Sequence, residues 1–179
     1  YDNDGDLDLF VANGHVYPVI DEYDVGTTYA QRNFIFENQG DGTFVEVSAL
    51  SGSGFAVEKV SRGAAFGDYD EDGDIDILVL NVDDTPSLLR NEGGNRLHWL
   101  HVSTVGTRSN RDGIGARIVV ETAGRRQIRE VGAGTSFLSQ SDLRVHFGLG
   151  SAERVDRLVV RWPSGVVQEF TDVRADQWL

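Results

Sequence analysis

The feature that most constrains this chain is a ladder of five aspartates. They occupy every second position of the segment DYDEDGDID, residues 68–76. On a regular β-strand alternate side chains share one face, so five like charges would repel one another there. The segment therefore predicts a loop wrapped around a cation, because a bound cation neutralises closely spaced carboxylates. Gly73 lies among the aspartates and would permit the sharp turn of such a loop.

The spacing of the ladder also indicates which cation it binds. Asp68, Asp70 and Asp72 would offer side-chain oxygens, Asp74 its backbone carbonyl, and Asp76 would close the shell. This order follows the EF-hand calcium loop, with an aspartate at the ninth position in place of the distal glutamate. An anionic, flexible, all-oxygen shell favours Ca²⁺ over transition metals, and it suits the size and geometry of Mg²⁺ poorly. The predicted cofactor is therefore Ca²⁺.

A second copy of the acidic pattern begins at the second residue. DNDGDLD at residues 2–8 repeats DEDGDID at residues 70–76, which gives a period of 68 residues. Each copy runs into an apolar stretch that ends at asparagine, LFVAN in one and ILVLN in the other. This recurrence argues against the alternative, an acidic solvated turn that binds nothing. The ligands predicted for the second, partial calcium loop are Asp2, Asp4, Asp6 and Asp8. Because this loop lacks a counterpart of Asp68, we expect the chain to be a piece of a longer protein.

Charge is distributed unevenly along the chain. Residues 1–95 carry 20 acidic and 4 basic side chains, whereas residues 96–179 carry 9 acidic and 12 basic ones. The change falls at the Gly-Gly-Asn of residues 93–95, and it predicts two domains, residues 1–94 and 95–179. The acidic half would repel phosphates, so nucleic acid is not expected as a partner. No apolar run reaches the roughly 20 residues that span a membrane, so no membrane span is expected.

The apolar residues follow the period of β-strands, and no helical period is convincing. In the first half, strands are expected at residues 8–13, 33–38, 43–47, 62–68, 77–81 and 87–91. In the second half, strands are expected at residues 97–102, 114–121, 127–131, 143–147, 155–162 and 166–170. Six short strands with frequent turns are typical of a β-sandwich or barrel. The predicted fold class is all-β.

The first half resembles the FG-GAP/VCBS repeats, the β-propeller blades that also occur in integrin α-subunits. The matching words are FGD at residues 66–68, the aspartate ladder, and NQGDGTF at residues 38–44. The resemblance implies calcium in the loop between two strands of a blade. A propeller typically has about 4–8 blades, and about two are expected here. The chain would therefore hold a partial β-propeller, or copies of it would assemble.

The second half resembles the ASPIC/UnbV domain, which follows FG-GAP/VCBS repeats in the cartilage acidic protein family and its bacterial relatives. The matching words are NRDGIGAR at residues 110–117, HFGLG at residues 146–150 and WPSG at residues 162–165. The resemblance implies a secreted, calcium-binding architecture and no known chemical reaction. We therefore expect a secreted or extracellular protein, or one in a bacterial periplasm or at a cell surface.

The remaining polar residues form no convergent catalytic set, so no catalytic residue is predicted. His98 and His101 lie three apart on an expected strand, which places them on opposite faces, and we expect them at the surface or half-buried. Ser139 and Ser141 have His146 nearby in sequence, but the G-x-S-x-G elbow of a hydrolase is missing. The chain contains no cysteine, which excludes disulfides and thiolate metal sites.

These observations lead to one functional prediction and two alternatives. The prediction is a non-enzymatic extracellular module in which calcium stabilises the acidic repeats and the β surface mediates adhesion, through a protein partner or self-assembly. The first alternative is a subunit of a homopolymeric extracellular filament, because incomplete blades leave unpaired strand edges. The second is a carbohydrate-binding or hydrolytic propeller protein with a glycan as ligand, because propellers host both functions.

Overall fold

The computed structural model of the chain describes residues 1–179, and every regular element longer than four residues in it is a β-strand. The all-β prediction is confirmed. The strands of the acidic half are β1 (Leu9–Val11), β2 (Gln31–Arg32), β3 (Phe34–Asn38), β4 (Phe44–Glu46), β5 (Glu58–Lys59), β6 (Ser61–Gly67), β7 (Asp76–Asn81) and β8 (Ser87–Leu89). Those of the second half are β9 (His98–Val102), β10 (Arg117–Thr122), β11 (Arg125–Glu130), β12 (Val145–Gly150), β13 (Arg154–Arg161), β14 (Val167–Arg174) and β15 (Gln177–Trp178).

Short 3-10 helices occupy several connections. They are Ile20–Glu22, Ser48–Leu50, Ser53–Ala56 and Gly94–Arg96. The last of these lies between β8 and β9, in the connection where the charge of the chain changes sign. None of the helices is long and apolar enough to cross a membrane.

The acidic half forms two three-stranded antiparallel sheets. Their strand orders are β1-β3-β4 and β6-β7-β8. In each sheet an acidic loop leads into one strand, β1 in the first and β7 in the second, so the sheets are propeller-like blades that follow the 68-residue period. In the second blade β6 precedes the acidic loop and pairs with β7, whereas β1 has no such neighbour. The first blade is therefore open along one edge of β1.

The blades have small apolar cores. Each core contains three buried residues, Ile35, Val47 and Phe55 in one and Ala64, Ile77 and Val79 in the other. Phe10 packs against both clusters. Its ring centroid lies 6.2 Å from that of Phe55 and 6.0 Å from that of Phe66, in edge-to-face arrangements. Phe10 thereby joins one blade to the next.

The second half forms a sandwich of two sheets. Their strand orders are β11-β10-β13-β14 and β12-β9-β15. Alternate residues of neighbouring strands point inward, as in the pairs Ile118–Val160 and Val120–Leu158 of β10 and β13. The shared core contains 13 buried apolar residues drawn from both sheets. Because neither sheet closes on itself, the predicted sandwich-or-barrel is a sandwich.

The loop of residues 136–142 extends from the sandwich along the free edge of β6. The N–H groups of Ala64 and Phe66 donate hydrogen bonds to the hydroxyl oxygens of Ser136 and Ser141, both at 3.2 Å. In return, the N–H of Asp142 donates to the carbonyl oxygen of Phe66 at 2.9 Å. This loop pairs with the blade in place of another strand.

Candidate metal centre

Asp68, Asp70 and Asp76 are the carboxylates that the structure brings together. One oxygen atom of each lies within 4.8 Å of the other two. Because calcium binds oxygen at about 2.3–2.6 Å, two ligand oxygens of one ion lie no more than about 5 Å apart. Asp68 and Asp76 are only 1% and 2% exposed. Carboxylates buried this close to each other are unfavourable unless a positive charge neutralises them.

Backbone N–H groups on both sides of the loop orient Asp76. The N–H of Tyr69 donates to Asp76 Oδ2 at 3.0 Å, and the N–H of Asn91 donates to Asp76 Oδ1 at 2.8 Å. Asn91 follows β8, so Asp76 fastens the acidic loop to the third strand of its blade. Two backbone donors therefore fix the orientation of this carboxylate.

Asp68 is oriented in the same way from within the loop. The N–H of Asp72 donates to Asp68 Oδ1 at 3.1 Å, and the N–H of Gly73 donates to Asp68 Oδ2 at 2.9 Å. The chain reaches these positions through left-handed backbone at Glu71, with φ of 61°, and at Gly73, with φ of 97°. The φ of Gly73 is one that side chains rarely tolerate, which explains the glycine among the aspartates.

Asp72 and Asp74 keep their carboxylates outside this cluster. Asp72 Oδ1 accepts a hydrogen bond from the N–H of Asp74 at 3.2 Å. Asp74 Oδ2 accepts from the N–H groups of Gly94 and Asn95 at 3.0 and 3.4 Å. Burial, and then the negative charge of Asp72, raise the pKa of Asp74 to about 6. The carboxylate of Asp74 therefore anchors the segment that leaves the blade.

Buried carboxylate oxygens without a hydrogen-bond partner occur in both acidic loops. They are Asp70 Oδ1, Asp74 Oδ1 and Asp6 Oδ1. A buried polar atom without a partner is unfavourable, and a cation bound at that atom removes the penalty. Arg90 Nε lies 2.8 Å from the other oxygen of Asp70. The donor atoms are all oxygens, so they fit a hard cation such as Ca²⁺.

The first acidic loop follows the same backbone path as the second. Asn3 and Gly5 have φ values of 62° and 101°, and their counterparts Glu71 and Gly73 have 61° and 97°. A hydrogen bond from a backbone N–H to the last aspartate of the loop also recurs. The N–H of Asn38 donates to Asp8 Oδ1 at 3.0 Å. In the second loop the N–H of Asn91 donates to Asp76 Oδ1 in the same way. The hydrogen bonds of the two loops therefore repeat at the same 68-residue interval as the sequence.

The first loop differs from the second in its carboxylates. No three carboxylate oxygens converge there as they do in the second loop. Burial raises the pKa of Asp2 and of Asp6. The structure thus places the four predicted residues Asp2, Asp4, Asp6 and Asp8 in one loop without assembling them into one cluster.

His101 is the neighbour of this centre that the sequence did not reveal. The expectation that it lies at the surface or half-buried is wrong, because it is buried with Nε2 3.3 Å from Asp68 Oδ2. Burial, and then the positive charge of Arg144, lower the pKa of His101 to about 4, so the imidazole is neutral. His98 lies on the opposite face and pairs with Asp176 at 2.7 Å, as strand alternation predicts. Alternation indicates the face of a strand, but not what packs against it.

Comparison with known proteins matches each half of the chain to a family. The family described as an FG-GAP-like repeat matches residues 1–79, and the family described as ASPIC and UnbV matches residues 106–179. Both resemblances noted in the sequence are confirmed.

Three vertebrate proteins named cartilage acidic protein 1 are similar to this chain. The Homo sapiens protein is 28% identical over 171 residues, which cover 92% of this chain and 24% of that protein. The Xenopus tropicalis and Mus musculus proteins are each 43% identical over 49 residues, which cover 27% of this chain and 7% of those proteins. This chain therefore spans about a quarter of the length of the human relative.

Proposed function

Because this chain joins FG-GAP-like repeats to an ASPIC and UnbV domain, we propose that it is a non-enzymatic, calcium-stabilised module of the extracellular space. The observation that carries the proposal is the convergence of Asp68, Asp70 and Asp76, with two of the three carboxylates buried. Backbone N–H groups orient two of these carboxylates, Asp68 and Asp76.

The role of calcium in this proposal is structural. Each blade buries only three apolar residues in its core cluster, so burial alone gives it little stability. An ion that binds the folded loop but not the unfolded chain adds its binding free energy to folding. The ion also joins β6 to β7, because Asp68 follows one strand and Asp76 begins the other.

The polar groups near the centre support a module without catalysis. Ser141 Oγ accepts a hydrogen bond from the N–H of Phe66 and lies 2.6 Å from the hydroxyl of Thr135. His146 is paired with His101 and Asn3 rather than with a serine. A histidine engaged in this way does not activate a nucleophile, since activation needs a direct contact.

An extracellular location follows from the same proposal. Weakly bound calcium is retained where calcium is plentiful, as it is outside cells. The chain has no cysteine, so no disulfide can replace the ion as a covalent brace. The name of the three relatives, cartilage acidic protein 1, also fits a protein outside the cell.

Isothermal titration of CaCl₂ into the full chain tests the calcium proposal. We expect binding in the wild type, weaker binding of MgCl₂, and at least about tenfold weaker calcium binding in Asp70→Asn, because ligand charge sets the affinity of such loops. Asp24→Asn is the matched control, since Asp24 is exposed and lies outside both acidic loops. A wild-type chain that binds no calcium at millimolar concentration would contradict the proposal.

A second candidate function is assembly through the blade faces. Apolar residues that remain exposed on the two blades favour it. Leu9 and Val11 are 50% and 39% exposed, whereas their counterparts Ile77 and Val79 are buried against the first blade. The same positions are thus covered in the second blade and exposed in the first. The first blade offers an apolar face to a preceding blade.

The second blade offers the complementary face. Leu78 and Leu80 are 42% and 41% exposed, whereas their counterparts Phe10 and Ala12 pack against the second blade. The two ends of the blade pair therefore match each other head to tail, which is a geometry that forms rings or filaments. The partner of each face would be another blade of this type, in a longer chain or in a second copy.

Analytical ultracentrifugation at increasing concentration tests self-assembly. We expect the wild type to associate and the variant Leu78→Glu to remain monomeric, with its folding verified by circular dichroism. Leu50→Glu is the matched control, because Leu50 is exposed in a 3-10 helix rather than on a blade face. A wild type that stays monomeric at millimolar concentration would exclude association between copies.

A further inference from the structure

Both acidic loops rest directly on the sandwich. The N–H of Gly150 donates to the carbonyl oxygen of Asn3 at 2.8 Å, and Arg125 Nη1 donates to that of Asp4 at 2.6 Å. In the second loop, Arg144 Nη2 donates to the carbonyl oxygen of Asp68 at 3.2 Å. The carbonyl oxygens of the loops thus find donors in the sandwich, which fixes where it docks.

A chain of buried and half-buried polar side chains connects the two loops through the sandwich. Asn3 Nδ2 donates to the carbonyl oxygen of Gly73 at 3.0 Å, while Asn3 Oδ1 lies 2.5 Å from His146 Nε2. His146 Nδ1 lies 3.3 Å from His101 Nε2, which also lies 3.3 Å from Asp68 Oδ2. The path therefore starts at one acidic loop and ends on a carboxylate of the candidate metal centre.

The partners along this chain determine which nitrogen carries each proton. Asn3 Oδ1 only accepts, so His146 Nε2 must be the donor and His146 Nδ1 an acceptor. His101 Nε2 must then carry the proton, and it donates to His146 Nδ1. The same nitrogen lies 3.3 Å from Asp68 Oδ2, so the edge of the buried imidazole packs against the carboxylate. Such a contact limits the positions that the Asp68 carboxylate can take.

We propose that docking of the sandwich sets the calcium affinity of the second acidic loop, through His101. This inference rests on the proposed calcium function. Residues that orient a metal ligand from behind typically change metal affinity by about 10–100-fold. Because linkage is reciprocal, calcium must favour the docked arrangement by the same factor. His101 is a positioning residue here, since it contacts a ligand and not the ion.

The tryptophans of the sandwich report on this docking. The ring of Trp99 lies against Gly73, where any side chain would clash with it. Trp178 stacks on His101, with ring centroids 4.3 Å apart and an interplanar angle of 10°. The guanidinium carbon of Arg144 lies 4.3 Å from the centroid of the Trp178 ring. Trp162 lies elsewhere and donates to Gln168 at 2.6 Å. In Trp162→Phe, emission therefore comes from the junction alone.

The test combines calorimetry and fluorescence on the full chain in the Trp162→Phe background. With CaCl₂ as the titrant, we expect the emission change to share its midpoint with the heat of binding. His101→Phe keeps an aromatic ring against Trp178 but loses the N–H donor, and we expect its calcium affinity to fall by about tenfold. His98→Phe is the matched control on the opposite face of the same strand, and we expect its affinity to stay within about twofold of the background.

The outcomes separate this inference from the proposed function. Calcium that binds without changing the emission of Trp99 and Trp178 would overturn the coupling while leaving the calcium proposal in place. Equal affinities in His101→Phe and His98→Phe would do the same. The absence of any calcium binding would overturn both proposals. If His101→Phe fails to fold, the emission titration of the Trp162→Phe protein still decides the coupling.

Discussion

The sandwich and the blades are both built of short antiparallel strands, but they are held together differently. The sandwich buries a single cluster of 13 apolar residues, whereas each blade buries a cluster of three. Conversely, the acidic residues that the chain buries are all in the blades, namely Asp68, Asp74 and Asp76. One half therefore carries its stability in its core, whereas the other has little core and relies on the contacts that its acidic loops make.

The surface charges of the sandwich make the same point. Arg157 forms a two-fold hydrogen-bonded pair with Glu169, at 2.7 and 3.0 Å, on a solvent-exposed face. Exposed pairs of this kind contribute little to stability. In the blades three aspartates are buried, and two of them, Asp68 and Asp76, lie in the cluster of three carboxylates, so neutralising them has a large effect.

The largest effect is expected from Phe147→Ala, which removes a fully buried ring from the sandwich core. Substitutions of this kind cost about 3–5 kcal/mol, and we expect about 4 kcal/mol here. The loss should be the same with and without calcium. Urea unfolding followed by tryptophan emission measures it, because all three tryptophans lie in the sandwich half. Val167→Ala, on an exposed strand position, is the matched control.

Removal of calcium with EGTA should affect the blades and spare the sandwich core. If the ion is present at a hundred times its dissociation constant, its loss lowers blade stability by about 2.7 kcal/mol. The five tyrosines all lie in residues 1–69, so second-derivative absorbance of tyrosine reports on the blades. We expect the tyrosine transition to move to lower temperature and the tryptophan transition to move less. Equal shifts of both would show that the two halves unfold as one unit.

Gly73→Ala should destabilise the junction of the two halves. The substitution places a side chain at a φ of 97° and against the ring of Trp99. Strained backbone of this kind costs about 1–3 kcal/mol, and we expect about 2 kcal/mol. Gly42→Ala is the matched control, because Gly42 also has positive φ but an added Cβ there would meet nothing within 4 Å. Equal losses of stability in the two variants would mean that the Trp99 ring moves aside without a free-energy cost.

The smallest effect is expected from Asp72→Asn. Its carboxylate lies outside the cluster of three, and the asparagine can still accept the hydrogen bond from the N–H of Asp74. We expect a loss below about 1 kcal/mol, as for most substitutions away from buried groups. Asp76→Asn, within the cluster, should have the larger effect on the calcium-dependent melting temperature. A reversed order would show that Asp72 turns toward the ion when it binds.

Much of this fold could be predicted from the sequence, because strand alternation and turn residues are local signals. All twelve strands expected from the apolar pattern are present, although β14 continues to Arg174, beyond the expected end at residue 170. The strands that were missed have two residues each, β2, β5 and β15. A two-residue strand has no alternation to detect, and it exists only because its partner happens to lie alongside.

The candidate site was predictable in part for the same reason. Repeated aspartates and a glycine predict a cation loop, since ligand spacing within one loop is a local property. The role of each aspartate was harder to predict from the sequence. Asp74, for example, accepts hydrogen bonds from the N–H groups of Gly94 and Asn95, about twenty residues away. His101 could not be foreseen at all. Its contact with Asp68 joins two separate elements, and no periodicity in either one encodes it.

The loop of residues 136–142 has a consequence for solubility. An uncovered outer strand with alternating small and apolar residues, as in SRGAAFG, is the kind of template on which chains add to one another in fibrils. Here two serine hydroxyls take the N–H groups that an incoming chain would need. The loop of the sandwich thus covers the edge of β6 and blocks the addition of another chain there. We expect Ser136→Pro together with Ser141→Pro to expose this edge and to increase aggregation.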